Sequence, residues 1–398
     1  MNLYLIVFLI LAAGAVWEWF RPQYGKYIYR GCWGLAAACL CLRFGQGTDY
    51  VTYHAIYETI PAHIDLAQGY ICGFYPEIGW RLISALFKLF HAPFWVFTFV
   101  LGLADMLLLH RFLNKYVPLR TAGLFLSYPV LYIVYLVSGL RQGLAICFFL
   151  GVAVPFYVEK KWGGYVAAVV IAASFHRVGY AWLILPVVYY LPLGVMLALL
   201  GISIAGGLIL QIGAVEQWLT GLLPSYHVKQ FLLEGDLSLF AVGERLVSAA
   251  AVLLLYFWKQ KKEEGAGQRT ALFLKAYLCG TCFYMLLCGS SYYASRYCVI
   301  FKVLECALIV AFVEAKDIVV KFGAVFFLAL TLVMGVKNLD AMVSEGYYYE
   351  RKGVTIWDFP YISVFYPDEI NSYLDYNKEL NKIYRYNVVD QELWRIDI

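Results

Sequence analysis

The chain has 398 residues, of which 62% are hydrophobic and only 15% charged, and its net charge is +4. A run of soluble domains would be nearer a quarter charged, and a nucleic-acid binder would carry a basic patch or stripe. No GKS or GKT phosphate loop, GxGxxG after a strand pattern or HExxH occurs, so neither nucleotide hydrolysis nor zincin chemistry is suggested, and no cofactor or metal is expected.

Apolar runs near twenty residues recur from end to end, long enough to cross a hydrocarbon core of about 30 Å. They fall at about 2–19, 28–44, 93–110, 119–137, 140–158, 162–175, 178–191, 193–213, 242–258, 270–289, 297–315 and 321–337. The expected fold is therefore all-α and integral to the membrane, a polytopic bundle of about 12 transmembrane helices occupying 1–337. The first run lacks a basic leader and reads as a retained span. Alternate loops starting at 21–30 hold 14 Lys and Arg, and the opposite set holds 8 with the tail left out. The richer set is expected on the cytoplasmic side, which puts both termini outside.

That assignment requires 76–90 not to cross. Ile78, Leu82, Ile83, Leu86, Phe87 and Phe90 recur at helical spacing, while Glu77, Arg81, Ser84 and Lys88 interrupt the run. The pattern predicts an amphipathic helix lying in the outer interface; an ordinary short span is the alternative. It lies within an outer loop, 45–92. A second outer loop covers 214–241, and an extracytoplasmic polar and aromatic tail covers 338–398. Loops facing the cytoplasm are short, so chemistry is expected on the outer face.

The strongest local signal is RFGQGTDYVTYHAIY at 43–57. Gly45 and Gly47 permit a tight turn after a span, and Asp49 follows it, flanked by Tyr50 and Tyr53. An acid so placed suits a lipid-borne substrate, and tyrosines suit sugars and interfaces. The competing reading is a helix cap, since Asp is favoured there. Arg141 and Gln142 open a later span; such an Arg either snorkels or forks onto a phosphate. His176 and Arg177 mark another outer boundary, and His176 is either a satisfied interfacial side chain or a proton-transfer group. Arg296 and Tyr297 begin the run that contains Lys302, with Glu305 three residues on as a pairing partner.

Asp49, His176, Arg43, Arg141, Arg177 and Arg296 thus share one boundary, and fixed cations of this kind stabilise a departing diphosphate. Ten cysteines are present, including Cys279 and Cys282 at CxxC spacing. Their apolar settings predict small buried hydrophobes, while Cys72 lies in a polar loop with no selected partner.

The run at 43–57, the Arg141-Gln142 pair, ASFHRVGYAW at 173–182, SRYCVIF at 295–301 and TIWDFPYISVFYP at 355–367 resemble, in this order, the EpsG family of bacterial polysaccharide polymerases, related to the Wzy polymerases. The resemblance implies a GT-C-like glycosyltransferase architecture in the bacterial cytoplasmic membrane, with its active site on the extracytoplasmic side. It implies undecaprenyl-diphosphate-linked oligosaccharide as substrate, and exopolysaccharide, capsule or O-antigen as product. A chain-length regulator protein is an implied partner. Asp49 matches the acidic position early in the first large outer loop, and 76–90 matches the amphipathic helix of that loop. Arg141, Gln142, His176 and Arg296 match other recurrent positions; Arg177 departs from the small residue usual there.

The leading expectation is a polymerase in which Asp49, or else His176, activates the acceptor hydroxyl. Arg141, Arg296, Arg43 and Arg177 would bind diphosphate, and Gln142, Tyr50, Tyr53 and Tyr297 would contact substrate. A ligase moving a finished glycan would have a similar site. A lipid-linked oligosaccharide flippase predicts polar residues through the midplane and inverted repeats, and neither pattern is evident.

Overall fold

A computed structural model describes residues 2–59, 77–212, 237–262, 267–313, 318–344 and 354–365. Cys72, the remainder of the two long loops at 45–92 and 214–241 and most of the tail lie outside the described residues. Among the described residues the regular structure is helical, apart from a single antiparallel bridge between Arg43 and Ser363. Six helical stretches are long and apolar enough to cross a membrane: Leu3–Phe20, Phe94–Tyr116, Arg120–Ser138, Leu140–Val158, Leu239–Lys261 and Ile318–Ser344. Trp162–Phe175 and Leu193–Ile209 are shorter apolar helices. The protein is a multi-pass membrane protein.

Helices α1 (Leu3–Phe20) and α2 (Gly25–Cys41) form a hairpin. Asn2 caps α1, its side-chain oxygen accepting from the Tyr4 and Leu5 N–H groups at 2.9 and 3.3 Å. A short helix, α3 (Tyr50–Thr59), and the amphipathic α4 (Ile78–Leu89) precede α5 (Phe94–Tyr116). The next helix, α6 (Arg120–Ser127), runs on through wider turns over Tyr128–Ser138. The widened stretch carries Pro129 in its first turn, which has no N–H to offer the preceding turn, and Asn338 donates to the Pro129 carbonyl at 2.9 Å. Helix α7 (Leu140–Phe148) widens likewise over Phe149–Ala153 and ends as α8 (Val154–Val158).

Then come α9 (Trp162–Phe175), a tight 3-10 segment over Arg177–Ile184, α10 (Leu185–Tyr190) and α11 (Leu193–Ile209). The run expected at 178–191 is thus two short pieces, because Pro186 lies within it and a 3-10 segment fills its first half. Helices α12 (Leu239–Lys262), α13 (Gln268–Leu286), α14 (Ser291–Lys302), α15 (Glu305–Val313) and α16 (Ile318–Ser344) complete the bundle. The run expected at 297–315 is broken between Lys302 and Glu305.

Trp182 is fully buried and stacks on Phe149 with ring centroids 4.2 Å apart. Its indole N–H donates to the Ile300 carbonyl at 3.0 Å, and the Tyr165 hydroxyl donates to the Trp182 carbonyl at 2.7 Å. These bonds fasten α14 to the segment after α9, so Arg296 and His176 belong to one framework.

Helix α4 has two unlike faces. Trp80, Ser84 and Ala85 are buried. Ile78, Leu82, Leu86 and Leu89 are exposed on the other side, with Phe90 just beyond. An exposed apolar stripe on a short helix is what water disfavours and a membrane boundary accepts.

A second polar cluster lies among α12, α14 and α15. The Lys302 ammonium is 2.6 Å from Glu244 and 3.5 Å from Glu305, and the Tyr277 hydroxyl donates to Glu305 at 3.2 Å. Arg245 pairs with Glu244. Replacing one member of a buried ion pair leaves the other uncompensated, at a cost of roughly 3–5 kcal/mol. Lys302→Met should therefore lose folded protein in detergent thermal-denaturation measurements, whereas Lys259→Met, at the far end of α12, should lose much less.

Candidate active site

The site is built around the turn that follows α2. Gly45 and Gly47 both have positive φ, 65° and 112°. A Cβ on Gly47 would fall 2.4 Å from the Val137 carbonyl oxygen, so only glycine lets this turn press against the end of the α6 extension. Several bonds hold it there. The Arg43 guanidinium donates to the carbonyls of Leu40 at 2.5 Å, Leu136 at 2.9 Å and Val137 at 3.2 Å. The Thr48 N–H donates to the Ser138 hydroxyl at 3.2 Å. The Gln46 amide donates to the Pro360 carbonyl at 2.5 Å and accepts from the Tyr4 hydroxyl at 3.0 Å. Segment 354–365 crosses the same end of the bundle; Phe44 N–H donates to Ile362 and Val364 N–H to Leu42 at 2.9 and 3.1 Å.

Asp49 emerges from this turn immediately before α3 and is exposed. The residue is exposed, yet the surrounding protein displaces enough solvent from its carboxylate to raise its pKa above the ordinary carboxylate value. Arg296 and Arg141 oppose that rise. The same two cations act on His176, which is 6% exposed in the break after α9. Burial first, then Arg141, Arg296 and Arg177, lowers the imidazole pKa to about 3. Asp49, Arg141, His176 and Arg296 are therefore within electrostatic reach of one another.

The neutral His176 ring keeps a buried Nδ1 that no described protein group engages. A group whose folded pKa is depressed stabilises the fold above its unfolded pKa, and that stability is lost as pH falls. For His176 the window runs from the unfolded value near 6.5 down to about 3. The loss is about 5 kcal/mol at full protonation. Thermal denaturation across this window should show acid sensitivity that His176→Gln reduces.

Arg141 sits in the first turn of α7. Its Nη1 is 2.6 Å from Glu77 Oε2, and its guanidinium lies 5.9 Å from the centre of the Tyr53 ring. Glu77 directly precedes α4, its side chain is 4% exposed, and its other oxygen accepts from the Arg177 N–H at 3.4 Å. This carboxylate was missed in the sequence, where it read as an interruption of an apolar stripe. The available signal was an acid one residue after Pro76 at the boundary end of that stripe.

The other expected contacts divide. Tyr53 is buried beneath Arg141 and against Trp80, 5.5 Å between centroids. Tyr50 is 1% exposed and packs between Phe44 and Phe94, which places it in the core and not at a substrate surface. Arg43, also 1% exposed, is committed to the three carbonyls of its turn, so it acts as a brace. The Gln142 amide donates to the Arg296 carbonyl at 3.1 Å, holding α14 and with it Arg296. Tyr297 is half-buried near Phe283, 6.3 Å between centroids. The Arg177 side chain is exposed. Among the described residues the cysteines are free; Cys279 is buried, as its apolar setting suggested, while Cys282 is only partly buried.

A membrane-embedded helical bundle with acids, arginines and a neutral histidine gathered at one end defines the class of protein. The EpsG family model matches residues 32–350, and the chain belongs to that family. Membership points to a role in polysaccharide polymerisation. Neither a curated protein nor a solved structure matches the chain.

Proposed function

We propose that this protein joins undecaprenyl-diphosphate-linked oligosaccharide repeat units into a surface polysaccharide at the outer leaflet of the cytoplasmic membrane. The observation that carries the reading is the convergence of Arg141 and Arg296 on both Asp49 and His176 at one end of the bundle. In this reading about twelve crossings, some of them short or broken, form a GT-C-like bundle. Helix α4 lies in the outer interface on its exposed apolar face.

Asp49 takes the proton from an acceptor sugar hydroxyl. The hydroxyl oxygen bonds to the anomeric carbon of the donor as the bond from that carbon to the diphosphate oxygen breaks. The electron pair leaves with the lipid diphosphate, whose charge Arg141 and Arg296 stabilise. His176, kept neutral, suits hydrogen bonding to substrate better than proton abstraction, because a base of such low pKa is weak at neutral pH. A flippase reading draws on the buried Lys302 cluster, but those charges are paired with one another.

Incubating purified protein with its lipid-linked repeat unit and resolving products on a gel tests the proposal. A ladder from wild type that collapses in Arg141→Ala supports it. Absence of a ladder from folded wild type, given an authentic repeat unit, refutes it.

A further inference from the structure

Glu77 has no part in the bond-forming step above, yet its carboxylate is buried at that end of the bundle, and it touches three elements. Its carboxylate meets Arg141 at the start of α7 and the Arg177 N–H after α9, while its own backbone carbonyl accepts from the Arg81 N–H at 3.2 Å in the first turn of α4. A carboxylate removed from water is stable only when paired and hydrogen-bonded, so the Arg141–Glu77 pair keeps each partner in place.

The backbone leaves Glu77 little room to shift. Two residues on, a Cβ at Gly79 would fall 2.2 Å from the Ser174 hydroxyl and 2.9 Å from its carbonyl oxygen, so α4 is pressed onto the end of α9. Trp80 is 2% exposed and lies against Tyr53, which in turn faces the Arg141 guanidinium. Arg141 is therefore held by a charge on one side and an aromatic face on another. A guanidinium presents its donors in a rigid fork, and fixing one nitrogen fixes the direction of the rest.

We infer that Glu77 is a positioning residue that acts through Arg141, holding its guanidinium in the orientation that meets the diphosphate of the lipid-linked donor. The inference builds on the polymerase reading. Preorganised charge stabilises a transition state better than charge that must reorient. An unheld Arg141 would still attract a diphosphate, so losing Glu77 should slow the chemical step more than it weakens binding.

The test is a double-mutant cycle on purified, folded protein, read in two ways. The first is the rate of ladder formation, and the second is binding of a short-chain prenyl diphosphate. Glu77→Gln should lower kcat by about tenfold or more while leaving donor KM within about threefold. Combined with Arg141→Ala, it should add no more than about twofold to the loss caused by Arg141→Ala alone. In binding, Glu77→Gln should change affinity only while Arg141 is present. Glu77→Asp keeps the charge with a shorter reach; it should recover part of the rate, and it carries the cycle if the glutamine variant does not fold.

Losses that multiply in the double variant, or equal binding effects in both backgrounds, would show that Glu77 acts independently of Arg141 and overturn the inference. An inert Glu77→Gln would overturn it as well. If wild type binds prenyl diphosphate but makes no ladder, the polymerase reading fails while the binding cycle still decides the role of Glu77.

Discussion

Asp49→Asn should reduce the rate of ladder formation by roughly 10²–10⁴-fold, the range lost when a general base is removed, with folded yield unchanged because the side chain is exposed. The pH profile distinguishes it from His176. A base works when deprotonated, so activity should rise as pH climbs through the pKa of the catalytic group. Asp49 is raised above the ordinary carboxylate value of about 3.8, whereas His176 is lowered to about 3. The acid limb should therefore lie above 3.8 and persist in His176→Gln. A limb that disappears in His176→Gln, together with an active Asp49→Asn, would assign proton abstraction to the histidine.

Gly47→Ala should be the most damaging small substitution near the site. The residue has φ of 112°, where an alanine is strained by about 1–3 kcal/mol. Its methyl would also meet the Val137 carbonyl oxygen at 2.4 Å, a backbone atom that cannot rotate away. The turn must then shift, and Asp49 lies two residues downstream. Displacing a reacting group by about 1 Å costs on the order of 10²-fold in rate. Gly34→Ala is the control, because a Cβ at Gly34 meets nothing within 4 Å and its helix gains from the alanine. Rates normalised to folded protein should separate the two; equal activity would mean that the turn does not set the position of Asp49.

The turn itself was legible in the sequence, since two glycines before an acid at the end of an apolar run have few other uses. The amphipathic helix at 76–90 was legible for a related reason. Apolar spacing survives interruption by polar residues, and Ile78–Leu89 forms with Ile78, Leu82 and Leu86 of that stripe exposed, while Ile83 and Phe87 turn half-buried against the core. The direction of individual side chains was not. Arg43, Tyr50 and Gln142 lie close in sequence to the expected boundary, but each is turned inward by partners distant in sequence: Val137, Phe94 and the Arg296 carbonyl.

Local pairing was visible and distant pairing was not. Lys302 and Glu305 are three residues apart, and their pairing was one of the readings the sequence offered; Glu244, the closer partner, lies 58 residues away. Glu77 and Arg141 are 64 residues apart, which is why the acid read as a blemish in a stripe. The long apolar helices and the short ones at Trp162–Phe175 and Leu193–Ile209 were plain from composition, whereas the breaks within 178–191 and 297–315 depend on packing that hydropathy does not report.

Glycosyl transfer from a lipid diphosphate is measured most directly by the release of that lipid diphosphate. Purified protein in vesicles, supplied with its lipid-linked repeat unit, should liberate one undecaprenyl diphosphate for every glycosidic bond formed, and Asp49→Asn should liberate almost none. Movement of the intact lipid-linked unit from one leaflet to the other, with no diphosphate released and no bond formed, would contradict the account and leave a transporter.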